Sequence, residues 1–324
     1  HQEARRQRQM CIRDRVSWPT WSPDGNYVAF STITEKDHIY MIGIDGSEPK
    51  LISSAAEEDF RPAYSPDGTK IAFQSTRFGS EGDVLLMDLA SGKITELTKN
   101  YQYYSRPRWS PDGKQIAIVQ SPGGSVRTNN VWVYSLSGAK PKQITQQGGV
   151  RNAIWAENGK SFVFAYDSSA NYKYSIWKIS ANGGEQVPLV VNAANNQPTD
   201  CSPDGSEFLF FSDVSEKNKI YRMPVTGGDY QEIENDLGGG KGARFSPDGK
   251  QIVFLSKHNP ENFTDVYLMP ANGGKTTRLT KSRAEESWPD WSPDGKTIIF
   301  SANMGDLDIW TVDVSGVLNL EVSN

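Results

Sequence analysis

The sequence predicts an all-β fold, a seven-bladed β-propeller of four-stranded antiparallel blades. Three observations carry that expectation. Ser-Pro-Asp-Gly stands unaltered at Ser22, Ser65, Ser110, Ser202, Ser246 and Ser292, and a degraded copy, Ala156-Glu157-Asn158-Gly159, fills the one gap. Successive copies are 43 to 46 residues apart, and roughly 40–45 residues make one four-stranded blade. Short runs rich in β-branched and aromatic residues lie between turn residues, and no helical period is sustained beyond about two turns, so no helix is expected.

The last copy shows a blade in order. Glu286 to Trp291 reads as strand A, Lys296 to Ser301 as strand B, Asp308 to Val312 as strand C and Leu318 to Val322 as a weaker strand D. In the turn between A and B, Pro presets φ, Asp bonds its own backbone, and Gly takes the left-handed position that closes a bulged hairpin. Strand C opens on a polar residue before Ile or Val, as in Asp83-Val84-Leu85 and Asp265-Val266-Tyr267. The aromatic found at its third position in most copies is expected to pack against the neighbouring blade.

One repeat phase runs from Val16 onward, so residues 16–324 read as a single propeller domain of seven repeats. The ring closes either by packing of its first and last blades or by a terminal strand crossing over. Residues 1–15 carry five arginines and no repeat phase. They read as a non-native or disordered segment ahead of the fold, with a basic arm for an acidic partner as the alternative.

Formal net charge is −5, and no basic stripe is visible beyond residue 15, which argues against a nucleic-acid partner. No apolar run approaches the 18 residues of a spanning helix, which argues against membrane insertion. Two cysteines, Cys11 and Cys201, are too few for a disulfide framework. Histidine is limited to His1, His38 and His258, so no metal site of the several-histidine kind and no cofactor are expected. There is no Gly-x-Ser-x-Gly elbow, and Cys201 stands where other copies carry Trp, Tyr or Phe, as a small core residue.

The stretches Trp291-Ser292-Pro293-Asp294-Gly295, Asp308-Ile309-Trp310 and Gly273 to Thr280 resemble the WD-like propeller repeat of the TolB-like family. The resemblance covers residues 16–324. It implies the propeller fold, a kinship with the propellers of tricorn-type and prolyl-oligopeptidase-type peptidases, and, through its namesake in the Tol–Pal system, a periplasmic or cell-envelope setting. Seven copies depart from the six blades of that namesake.

Within a blade the A–B and C–D turns share one face, and the variable B–C and D–A connections share the other, where binding residues concentrate. Three residues before the motif aromatic the chain reads Trp18, Arg61, Arg106 and Trp288, with Arg151 one position earlier in its repeat. Strand A is expected to be innermost, so this set should ring the mouth of the central channel. Its arginines either read a carboxylate or phosphate in bidentate fashion, or pair with acids such as Glu58, Asp59 and Glu285 and stack on aromatics. Tyr103 and Tyr104 add contact surface. The leading reading is a non-catalytic scaffold that binds a protein or peptide, of acidic character, on this face. An accessory propeller of a larger peptidase is the alternative. A carbohydrate-active enzyme, which would need paired loop carboxylates from Glu58, Asp59, Glu285 and Glu286, is the third.

Overall fold

The computed structural model describes residues 7–10, 15–33, 37–53, 58–77, 82–98, 102–104, 106–121, 125–167, 173–215, 218–258, 262–303 and 307–318. They form seven antiparallel sheets, six of them holding strands A to D in chain order from the axis outward and the seventh taking its outermost strand from the N-terminal residues. The innermost strands are Arg15–Trp21, Asp59–Tyr64, Val150–Ala156, Asn196–Cys201, Lys241–Phe245 and Glu285–Trp291, with strand A of blade three in two pieces, Gln102–Tyr104 and Arg108–Trp109. The seven-bladed propeller is as the repeat implied. The expectation of no helix is corrected in detail by one short helix, Ser315–Leu318, and by two single 3-10 turns.

The ring closes in the second of the two ways the sequence left open, with a terminal strand crossing over. The outer strand of blade seven is Gln7–Met10, antiparallel to Leu307–Asp313 with Gln7 opposite Val312 and Met10 opposite Ile309. The expectation that residues 1–15 stand outside the fold is corrected for these four and for Arg15, which opens the innermost strand of blade one opposite Ile33. The Leu318 to Val322 strand is not seen: Leu318 ends the short helix, and 319–324 lie outside the described residues. The physical reason is that an outermost strand is held by backbone hydrogen bonds. Gln-Arg-Gln-Met needs no apolar alternation to pair, and so carries no readable register.

The Ser-Pro-Asp-Gly turn works at two levels. Ser22 Oγ accepts from the Tyr27 N–H (2.9 Å) and donates to Asp24 Oδ1 (2.5 Å), which also accepts the Asn26 N–H (3.0 Å). Gly25 sits at φ +72°, where a Cβ would stand 3.7 Å from Pro293 Cδ of the adjoining blade. The same Gly–Pro contact recurs from blade to blade, as in Gly68–Pro23 and Gly113–Pro66. The motif therefore closes a hairpin and sets blade spacing. In the degraded copy Gly159 keeps its positive φ (+87°). Asn158 donates outward to the Asp204 carbonyl (3.2 Å), and it is Glu157 that serves locally, accepting from Ser161 Oγ and Lys178 Nζ.

Packing follows from the strand pattern. The central residue of strand B is a fully buried Phe in six blades, such as Phe30, Phe210 and Phe254. Each of those three lies opposite and stacks on the strand-C aromatic, Tyr40, Tyr221 or Tyr267, at 5.9, 5.1 and 5.8 Å between centroids. Such cross-strand pairs contribute roughly 0.2–1 kcal/mol each. Tyr40 and Phe30 also pack with Ile299 and Ile309 of blade seven, so the core lies between blades. Between innermost strands, motif indoles donate backwards: Trp109 to the Ala63 carbonyl, Trp155 to Arg108 and Trp291 to Arg244, at 3.0, 3.0 and 3.3 Å.

Candidate functional site

The axial strands carry a bulge near their outer end, with register shifts between Ser17 and Thr20, Phe60 and Ala63, and Ser287 and Asp290. Trp18, Arg61 and Trp288 occupy those bulges at φ +56°, +55° and +50°. Each precedes a proline, which brings no N–H to the ladder. For bulky side chains this backbone is costly, of order 1–3 kcal/mol per residue, and it aims three large groups at one place. The Trp18 and Trp288 rings lie 4.5 Å apart at 33°. The Arg61 guanidinium carbon lies 4.9 Å from the Trp18 ring centroid. Blades seven, one and two thus build a continuous Trp288–Trp18–Arg61 stack at the channel mouth.

Arg61 is also anchored: its Nη1 donates to Gln74 Oε1 (3.0 Å) and its N–H to Ser31 Oγ (3.0 Å). Burial, and the positive charge of Arg151 across the mouth, lower its pKa. Arg151 itself is exposed on blade four. The neighbouring acids are taken by other cations. Asp59 pairs with Arg77 (2.5 Å) and Glu285 with Lys257 (2.9 Å), while Glu286 is buried against Thr280, Ser282 and the Val266 N–H. Gln102–Tyr104 forms a strand, and the side chains of Tyr103 and Tyr104 lie outside the described residues.

Arg106 reaches the backbone of the residue that follows Arg61. Its Nε donates to the Pro62 carbonyl (3.2 Å), and burial, with repulsion from Arg244 and Arg108, pushes its pKa down to about 10. It belongs to a group inside the channel that sequence reasoning missed. The residue just before the motif aromatic pairs with the same strand-B position in every blade, and so stands at one height around the axis. Four of these residues are charged: Arg108 (opposite Ala117), Asp200 (Leu209), Arg244 (Val253) and Asp290 (Ile299). Arg244 and Asp290 form an ion pair at 3.2 Å. Asp200 accepts the Phe245 N–H (2.9 Å), and burial pushes its carboxyl up to about 6 against the pull of Arg244. Arg108 and Arg244 sit in blades three and six, so the repulsion that Arg108 feels from Arg244 acts across the channel. The signal was present in the sequence, as a charged residue beside the motif aromatic in four copies.

Among the described residues no group of three or more His, Cys, Asp and Glu could hold a metal. His258 lines a cleft of about 300 Å³ on the variable face with Lys241, Leu237 and Leu255. Burial pushes the Cys201 thiol up to about 12, and its Sγ donates to the Glu207 carbonyl, the behaviour of a packed residue rather than a nucleophile. What the mouth and channel offer chemically is aromatic surface and guanidinium charge.

A ring of seven such blades around a charged axial channel defines a β-propeller. The family model of the TolB beta propeller domain, PD40, matches residues 3–199, and the chain belongs to that family. Tol-Pal system protein TolB of Francisella tularensis subsp. tularensis (strain WY96-3418) is 29% identical over 154 residues, 48% of this chain and 35% of that protein. The uncharacterized peptidase YuxL of Bacillus subtilis (strain 168) is 26% identical over 210 residues, 62% of this chain and 30% of that one. The chain thus spans about a third of the length of these curated relatives. An oligogalacturonate lyase structure from Vibrio parahaemolyticus superposes with a TM-score of 0.77 at 12% identity, over 96% of this chain and 94% of that one, a likeness of fold alone.

Proposed function

We propose that this chain is a non-catalytic propeller platform that binds a protein or peptide segment of acidic character at the channel mouth. The carrying observation is the Trp288–Trp18–Arg61 stack, held at positive φ on three successive blades with Arg151 opposite. A backbone cost tolerated at three equivalent positions is typical of residues presented to a ligand. Flat aromatic faces and a stacked guanidinium suit an extended chain bearing carboxylates. Kinship with a protein named for the Tol-Pal system supports a cell-envelope role.

The test is titration of the purified chain with glutamate-rich and lysine-rich peptides of equal length, read by tryptophan fluorescence. Binding of the acidic peptide alone, weakening as salt rises and lost in Arg61→Ala/Arg151→Ala, is expected. Equal binding of both peptides, or an unaffected double variant, rejects the reading.

One observation favours a second reading, an accessory propeller of a peptidase: the match to YuxL extends over 210 residues yet covers 30% of that protein. In that case the same mouth admits peptide substrates to a catalytic domain. Finding such a domain encoded in the same reading frame would select it.

A further inference from the structure

The contact at the mouth ends at the bulges. Two residues further along the same strands, roughly 6–7 Å deeper at strand rise, the channel has its own unbalanced charge. Three guanidiniums, of Arg106, Arg108 and Arg244, share two carboxylates, Asp200 and Asp290. The carboxylates are committed to one side. Asp290 is bonded to Arg244, and Asp200 is held by the Phe245 N–H facing that same arginine. Among the described residues, blade three is left with two cations and no carboxylate in contact. Among these, Arg106 is tied through Nε to a carbonyl. Arg108 reaches Asn152 Oδ1 at 3.5 Å, a long contact, while its own Nε is buried without a partner among the described residues. Asn152 is fixed in turn by donating to the Pro198 carbonyl (2.8 Å), so it cannot follow Arg108 inward. Burial, with repulsion from Arg244, pushes both arginines down to about 10 against the weaker pull of Asp290 on both and of Asp200 on Arg108.

We infer that the channel contains a site for one oxyanion, a carboxylate or a phosphate, bound by the guanidinium groups of Arg108 and Arg106. A guanidinium fork matches either anion in bidentate geometry. Asp200 and Asp290 on the far side repel a second anion, which limits occupancy to one. Where the occupant is a carboxylate, it is the end of a peptide whose body lies on the tryptophan stack, and that part of the inference rests on the function proposed above.

Thermal unfolding of the full chain is measured at constant ionic strength with chloride, acetate or inorganic phosphate, and then with N-acetyl-tetraglycine bearing a free or an amidated C-terminus. Acetate and phosphate should raise Tm saturably in wild type and in Arg61→Ala, and leave Tm of Arg108→Gln unchanged. Arg108→Gln removes a buried surplus charge, so it should unfold no lower than wild type in chloride. Absence of the anion effect in wild type, or its survival in Arg108→Gln, overturns the site. If the site holds, the free peptide should bind at least tenfold more tightly than the amide, an advantage that Arg108→Gln abolishes. An anion effect without that difference leaves the oxyanion site standing, with a free anion as its occupant, and sinks its use by a peptide terminus.

Discussion

Trp18 and Trp288 stack at 4.5 Å across the junction of the first and last blades, and both hold positive φ. Backbone strain and ring contact therefore oppose one another at a single residue, and substitution separates them. Trp18→Ala loses the stack and keeps the strain, whereas Trp18→Gly loses the stack and relieves the strain. Chemical denaturation should find the glycine variant about 1 kcal/mol the more stable of the two. The reverse order would mean that Trp18 is not held in the left-handed region.

The indole bonds between blades are uneven around the ring. Trp155 donates to the Arg108 carbonyl, while the Trp21 N–H is buried with no acceptor among the described residues. Trp155→Phe should cost about 1–2 kcal/mol, since it strands a carbonyl and loses a hydrogen bond. Trp21→Phe should be neutral or slightly stabilising. Equal costs in urea titrations would show that Trp21 finds a partner at the seam.

Glu286 is buried, and desolvation, with a contribution from Asp265, pushes its carboxyl up to about 7 against the bonds from Thr280, Ser282 and the Val266 N–H. Asp265 faces it while paired with Arg278 (2.7 Å). The folded state holds this proton over a range where the unfolded chain, with an ordinary value of 4.5, has released it. Stability therefore falls as pH rises from about 4.5 to 7. Glu286→Gln mimics the protonated acid. It should be neutral at pH 4 and stabilising by about 2–3 kcal/mol at pH 8. Denaturation midpoints with parallel pH profiles in the two proteins would refute this.

Gly159 combines φ +87° with a Pro111 Cδ that would stand 3.2 Å from an added Cβ, against 3.7 Å for the equivalent contact at Gly25. Gly159→Ala should destabilise by about 1–3 kcal/mol, more than Gly25→Ala. A thermal shift no larger than that of Gly25→Ala would show that the degraded turn has slackened.

Strands A to C and the A–B turn were legible because their signals are local. Ser-Pro-Asp-Gly carries its own hydrogen bonds, and residues such as Val28, Ala29 and Phe30 declare a strand buried on both faces. The polar opening of strand C was visible but unexplained. Thr98 Oγ1 accepts from the Val84 N–H and donates to Asp83 Oδ1, and Thr145 repeats this with Val131 and Asn130, pinning strand D to strand C across fifteen residues. At the mouth, Trp18, Arg61 and Trp288 were found by register. Arg106 sits where strand A of blade three is interrupted, and it joins this end of the channel through the Pro62 carbonyl. The charged belt escaped because its position reads Thr20, Ala63 and Ile154 in the remaining blades, so no consensus marks it. Its meaning arises only when non-neighbouring repeats meet across the axis.

The pairing of Gln7–Met10 with Leu307–Asp313 makes a circle out of a line. Joining those ends closes a loop of about 300 residues, an entropic cost of about 5 kcal/mol in a free chain. Four residues of edge pairing cannot offset that alone. The clasp can fasten only after six blade interfaces have already carried the two ends to within reach. It should thus be the last feature to form and the first to fray, and when it opens blade seven gives up its outer strand while the other six blades remain whole.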